Sequence, residues 1–130
     1  MGILVLWDNV DQTAIRAEFE SKWSWDELET AISEIDGMIG AVEHQVDVII
    51  DLEGSAIPKD FMKAAKSLLA NPQPRSNEGW RVVVGANKVM RGVYNTVKKT
   101  FSNKVEGREL LFAADLMDAR ARLRSLRPEQ

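Results

Sequence analysis

The chain contains no cysteine, which excludes a disulfide framework, a thiolate metal site and a cysteine nucleophile together. Histidine is nearly as scarce, with His44 alone, so a His-based metal site or a Ser-His-Asp triad would have to be built on this one ring. No serine sits in a GxSxG strand-turn-helix elbow. Gly85-Ala86-Asn87 is too short for a dinucleotide fingerprint and lacks the Lys-Ser/Thr ending of a P-loop. No apolar run approaches the length of a membrane span. The opening residues have no basic stretch before their short apolar run, unlike a secretory signal, and Leu6 stands where N-myristoylation wants serine or threonine. The expectation is a cytoplasmic, non-enzymatic chain that takes no cofactor and meets no membrane.

What is present fits one α/β domain over residues 1–130. Apolar residues make up 45% and charged residues 28% of the 130, and a chain of this length buries roughly two thirds of its unfolded surface. The charge is divided unevenly. Residues 1–57 carry thirteen acids against Arg16 and Lys22, a balance of −11, and the remainder carries fifteen bases against seven acids, a balance of +8. Two oppositely charged parts fold against each other or, on separate surfaces, support salt-sensitive self-contact or docking to a charged partner. Aromatic residues do not alternate with the basic ones, which disfavours nucleic acid as the partner.

Ile3–Trp7 and residues 13–19 are rich in strand-forming residues around the polar segment 8–12, and together they predict an antiparallel hairpin. In the second run Ile15, Ala17 and Phe19 alternate with Ala14, Arg16 and Glu18, so one side is expected on the core and the other toward water. Ser24-Trp25-Asp26-Glu27 is a capping box, with Trp23 and Leu28 placed as a hydrophobic staple. The helix it starts has Trp25, Leu28, Ile32, Ile35, Ile39 and Val42 at the spacing of one buried face.

Residues 46–52 (VDVIIDL) read as a central parallel strand buried on both faces. Pro58 opens a second predicted helix with Phe61, Met62, Ala65, Leu68 and Leu69 inward, ended by Asn71-Pro72-Gln73-Pro74. A loop through 76–79 leads to a buried strand at 80–86. Asn87 caps a third helix with Lys88, Arg91, Lys98 and Lys99 outward; a short strand follows at 109–112, and Asp115 caps a last helix rich in arginine. The order ββαβαβαβα predicts a mixed, mostly parallel five-stranded sheet covered by four helices.

Three places offer chemistry. His44 lies in the loop before the third strand and has no evident catalytic partners. Asp47, Asp51 and Glu53 alternate along that strand and can share a hard cation, although solvated strand-end acids are the plainer reading. The third place is the carboxyl ends of the two central strands, where open α/β sheets bind ligands or partners. There Asp51, Gly54, Ser55, Gly85, Asn87 and Lys88 combine glycines for close backbone approach, a hydroxyl, a helix start and a cation.

The opening strands, Trp-Ser-Trp-Asp-Glu, Val46-Asp47-Val48-Ile49-Ile50-Asp51, Asn71-Pro72-Gln73-Pro74 and Val82-Val83-Val84-Gly85-Ala86-Asn87 together resemble the SpoIIAA-like, STAS/SEC14-related group of small bacterial proteins. That resemblance implies a SpoIIAA-like fold and a regulatory or protein-interaction domain, so the expected partner is another protein or, from the division of charge, a weak homo-oligomer. STAS-type antagonists carry a phosphorylated serine in an Asp-Ser-Ser-Gly-like motif after the strand ending here near Asp51. This chain has Glu53-Gly54-Ser55-Ala56-Ile57-Pro58 in that region, without paired serines, and Ser55 is the nearest positional candidate. The alternative is a small-ligand binding protein, taking an apolar or anionic molecule at the same strand ends.

Ser24→Ala removes the predicted N-cap and should destabilise the protein by about 0.5–2 kcal/mol. Denaturant melts measure this directly, and an unchanged midpoint would mean that the first helix does not begin at Ser24.

Overall fold

The computed structural model describes residues 2–55, 76–85, 88, 91–92, 95–96, 99 and 110–126. Its elements are β1 (Ile3–Trp7), β2 (Ala14–Phe19), α1 (Trp25–Gly40), β3 (Val46–Asp51), β4 (Glu78–Val84), β5 (Leu110–Ala113) and α2 (Leu116–Leu126). The five strands form one mixed sheet in the order β1-β2-β3-β4-β5. β1 and β2 are antiparallel, and β2, β3, β4 and β5 run parallel. The predicted α/β class and mixed, mostly parallel sheet are therefore present. Of the four predicted helices, the first and last are α1 and α2. Lys88, Arg91, Gly92, Asn95, Thr96 and Lys99 are helical where the third was expected; the second, with its inward Phe61, Met62, Ala65, Leu68 and Leu69, lies outside the described residues. No helix of the described residues is long and apolar enough to cross a membrane.

Local chemistry sets the element ends. Asn9 closes the β1–β2 turn, its Oδ1 accepting from the Thr13 N–H at 2.9 Å and its Nδ2 donating to Thr13 Oγ1 at 2.6 Å. The predicted capping box is in place: Ser24 Oγ accepts from the Glu27 N–H, and Glu27 Oε1 accepts from the Ser24 N–H, both at 3.2 Å. At the other end of α1, Asn77 Nδ2 donates to the carbonyls of Ile39, Val42 and His44 at 2.9–3.1 Å, satisfying acceptors that a helix terminus leaves open. Asp115 Oδ1 caps α2 by accepting from the Asp118 N–H at 2.8 Å, and Asp118 reaches back to the Ala114 N–H at 3.0 Å.

Strand alternation distributes the core between two layers. Val46, Val48 and Ile15 pack with Ile35, Ile39 and Val42 from the α1 side. Ile49, Val82, Val84 and Ala113 pack with Ala119 and Leu123 of α2. Neighbours in β3 point to opposite faces, so α1 and α2 cover opposite sides of the sheet. Burying a side chain such as Ile39 or Leu123 in these layers stabilises the fold by about 1.5–3 kcal/mol.

Two expectations need correction. The strand predicted at 80–86 starts at Glu78 and ends at Val84, because Gly79 pairs where a loop was expected: its missing Cβ leaves room for the Asp47 carboxylate. The side of β2 bearing Arg16 is not turned to water. Arg16 Nη1 binds Asp8 Oδ1 at 2.5 Å, and Arg120 of α2 binds the same carboxylate at 2.7 Å. Charge on that face is absorbed by pairing across 112 residues of sequence.

Asp8, with a side chain only 5% exposed, is held below the usual carboxylate range, foremost by the Arg120 hydrogen bond and further by Arg16, against the opposing effect of burial. A lowered folded-state value means that this stabilisation is complete above the unfolded aspartate range, near pH 4, and is lost as pH falls through the folded value. Asp8→Asn should thus lose about 2 kcal/mol at neutral pH and show a shallower acid-induced loss than wild type. Urea melts from neutral to acid pH test this; parallel profiles for the two proteins would contradict it.

Candidate functional site at the strand carboxyl ends

Parallel pairing brings three strand exits to one edge. Glu18 of β2 lies opposite Asp51 of β3, and Asp51 lies opposite Val84 of β4. As the chain leaves β3, the Leu52 N–H donates to the Val84 carbonyl at 2.9 Å and the Ser55 N–H to the Leu52 carbonyl at 2.9 Å. Between them Asp51 Oδ1 accepts from the Glu53 N–H at 3.1 Å. Gly54 supplies the left-handed position of this turn, at φ +77°.

Gly85 makes the β4 exit fit beside it. Its φ is +79°, and a Cβ there would lie 2.7 Å from Glu53 Cα and 2.8 Å from Glu53 N. The backbone conformation and the lack of space both call for glycine.

Ser55 is tied to the β2 exit. Its Oγ accepts a hydrogen bond from Trp23 Nε1 at 2.7 Å, and the hydroxyl keeps its own proton for a second partner. Trp23 is buried and stands edge-on between Phe19, with ring centroids 4.9 Å apart, and Trp25, at 5.0 Å. It immediately precedes the Ser24 cap, so the turn after β3 and the start of α1 are joined through one indole. Glu27 secures the same corner: its carboxylate accepts from the Gly2 N–H and from Ser24, and these bonds, Gly2 first, hold its carboxyl below the usual range.

Of the residues singled out in the sequence, Asp51, Gly54, Ser55 and Gly85 are therefore together. Lys88 is exposed and helical three residues beyond Gly85, and Asn87 lies outside the described residues. Trp23 was missed as a site residue and read only as part of a staple. A signal existed, since a buried tryptophan N–H needs an acceptor, but the acceptor is 32 residues away.

The other candidates go elsewhere. Asp47 is fully buried at the amino end of β3, where Oδ1 accepts from the Trp80 N–H at 2.8 Å and from Gln45 Nε2 at 3.1 Å. It serves an irregularity in the β3–β4 register and is neither solvated nor convergent with Asp51. Among the described residues no group of three or more His, Cys, Asp and Glu is placed to hold a metal ion. His44 Nε2 lies 2.7 Å from the Gln12 carbonyl, a pairing in which the ring nitrogen donates; it pins the β1–β2 turn at the edge opposite Ser55.

Comparison with protein-family models, with curated proteins and with solved structures gives no significant match. The site thus rests on its own geometry. Gly85→Ala meets both the left-handed backbone and the Glu53 backbone, and should destabilise the protein by about 2 kcal/mol or more. Gly37→Ala, at an exposed helical glycine where a Cβ would meet nothing within 4 Å, is the control. Equal melting midpoints for the two variants would contradict the close packing of the β3 and β4 exits.

Proposed function

We propose that the chain is a cytoplasmic, non-catalytic regulatory or protein-interaction domain of the SpoIIAA-like, STAS-related type. Its working surface is the edge formed by the carboxyl ends of β2, β3 and β4. A β1–β2 hairpin followed by parallel strands in sequence order supports that architecture, which in full has four helices in the order ββαβαβαβα. The commitment of His44, the sole histidine, to the Gln12 carbonyl supports a binding role over a histidine-based catalytic one.

The observation that carries the reading is the Trp23–Ser55 hydrogen bond. It couples a half-buried hydroxyl on a strand-end turn to the cap of α1, so a group placed on Ser55 is felt at the helix start. A phosphoryl group there would add close to two negative charges beside Asp51 and Glu53, and would turn the Oγ that accepts the indole N–H into a phosphoester oxygen, with the phosphate oxygens as competing acceptors. Such a change alters both the charge and the shape that a partner protein meets. A second reading, an apolar or anionic small ligand at this edge, is favoured by the half-buried Trp25 beside Trp23 and by exposed Lys88.

Native mass spectrometry of gently purified protein, with peptide mapping, distinguishes these readings. Phosphate on Ser55, or a retained protein released by Ser55→Asp, is the expected result. A retained small molecule would transfer the site to the second reading. A partner whose binding is unchanged in both Ser55→Asp and Trp23→Phe would contradict the assignment of this edge.

A further inference from the structure

Among the described residues β1 is an outer strand of the sheet, and its composition is unusual for that position. Ile3-Leu4-Val5-Leu6-Trp7 contains no charge and no proline, two of the devices by which proteins keep edge strands from pairing. None of its five residues is buried, and Leu4 is 55% exposed. Its neighbour β2 buries Ala14, Ile15 and Ala17.

The hydrogen-bond phase of this edge follows from the hairpin. The Asp8 N–H donates to the Ala14 carbonyl, and the Glu20 N–H donates to the Gly2 carbonyl, both at 2.8 Å. In the register Trp7↔Ile15 to Ile3↔Phe19, even-numbered residues of β1 thus point their backbone groups at β2. Antiparallel ladders alternate, so the N–H and C=O groups of Ile3, Val5 and Trp7 point outward.

We propose that a second copy of this chain pairs antiparallel with β1 about a twofold axis at Val5, joining two five-stranded sheets into one. The outward groups match this symmetry: Val5 exchanges both hydrogen bonds with the partner's Val5, and Ile3 does so with the partner's Trp7. Leu4 then lies opposite the partner's Leu6 at the non-hydrogen-bonded position, where cross-strand side chains come closest. Trp7 sits beside the partner's Ile3, an aromatic and β-branched pair of the kind that stabilises strand pairing. No like charges face each other along the strand, and the nearest acid, Asp8, is already held by Arg16 and Arg120.

Identical strands satisfy both halves of this register at once, which is why a second copy fits the edge. The contact is isologous and closes as a dimer, so it does not propagate into fibres. Five residues a side make it a weak, concentration-dependent association. This edge is a different surface from the Ser55 turn, and the failure of either proposal leaves the other standing.

Sedimentation of the full chain across a concentration series, with amide hydrogen exchange at each concentration, tests the pairing. The expected result is a dimer whose Ile3, Val5 and Trp7 amides gain protection as it forms. Val5→Pro removes an outward N–H that β2 does not use, and Leu4→Lys sets a charge opposite the partner's Leu6. Both variants should be monomers with unchanged circular dichroism. A wild-type monomer at every concentration, a dimer that survives both substitutions, or a dimer that leaves the three amides unprotected would each overturn the proposal. Should Val5→Pro fail to fold, Leu4→Lys and the amide protection decide the matter.

Discussion

β3 has no face for water, and the described architecture follows from that constraint. Val46 and Val48 fill one side and Ile49 the other, so a helix on a single face would leave a row of branched apolar side chains exposed. α1 and α2 cover the two sides. With both faces of this strand covered, its backbone is paired on both flanks by β2 and β4, and the parts left to meet other molecules are the strand ends. The placement of Ser55 is in this sense a consequence of the core.

A second group of interactions keeps the layers in position from outside the core. Asp8 joins β1, β2 and α2 through Arg16 and Arg120. Asn77 ties the entry to β4 to the end of α1, and His44 ties the entry to β3 to the β1–β2 turn. These three links lie toward the amino ends of the parallel strands. Among the described residues the carboxyl ends carry ties of their own: Trp23 with Ser55, Glu27 with Gly2, and Asp118 with the Ala114 N–H.

The separation of charge takes physical form in the same layers. α1 has no basic residue and exposes Asp26, Glu29, Glu34 and Asp36, whereas α2 exposes Arg122 and Arg124 on the opposite side of the sheet. The acids of α1 and the arginines of α2 thus lie on opposite sides of the sheet, and the Asp8–Arg120 pair joins the acidic part of the sequence to the basic part at the edge of the α2 layer.

Features set by neighbouring residues were legible in the sequence. The Ser24–Glu27 capping box, the β1–β2 turn, the apolar run of β3 and the Asp115 cap all involve residues within a few positions of one another. Long-range pairings were not. Trp23 and Ser55 are 32 residues apart and Asp8 and Arg120 are 112 apart, and no local pattern marks either pair. Arg16 was assigned to solvent because a charge on an alternating strand ordinarily faces water, and only the arrival of Asp8 and Arg120 makes its partial burial tolerable. Glu78-Gly79 read as a loop because glycine is a poor strand former, while its real role is to leave space for the buried Asp47.

The central claim, that the working surface lies at the strand carboxyl ends, is tested most directly by chemical-shift mapping. The full, isotope-labelled chain is titrated with inorganic phosphate, with nucleotides and with any protein retained through native purification. The account predicts that perturbations gather at Gly54, Ser55, Gly85, Lys88 and the Trp23 indole N–H. Perturbations centred instead on Arg120 and Arg124 of α2, with the Trp23 indole unmoved, would contradict it.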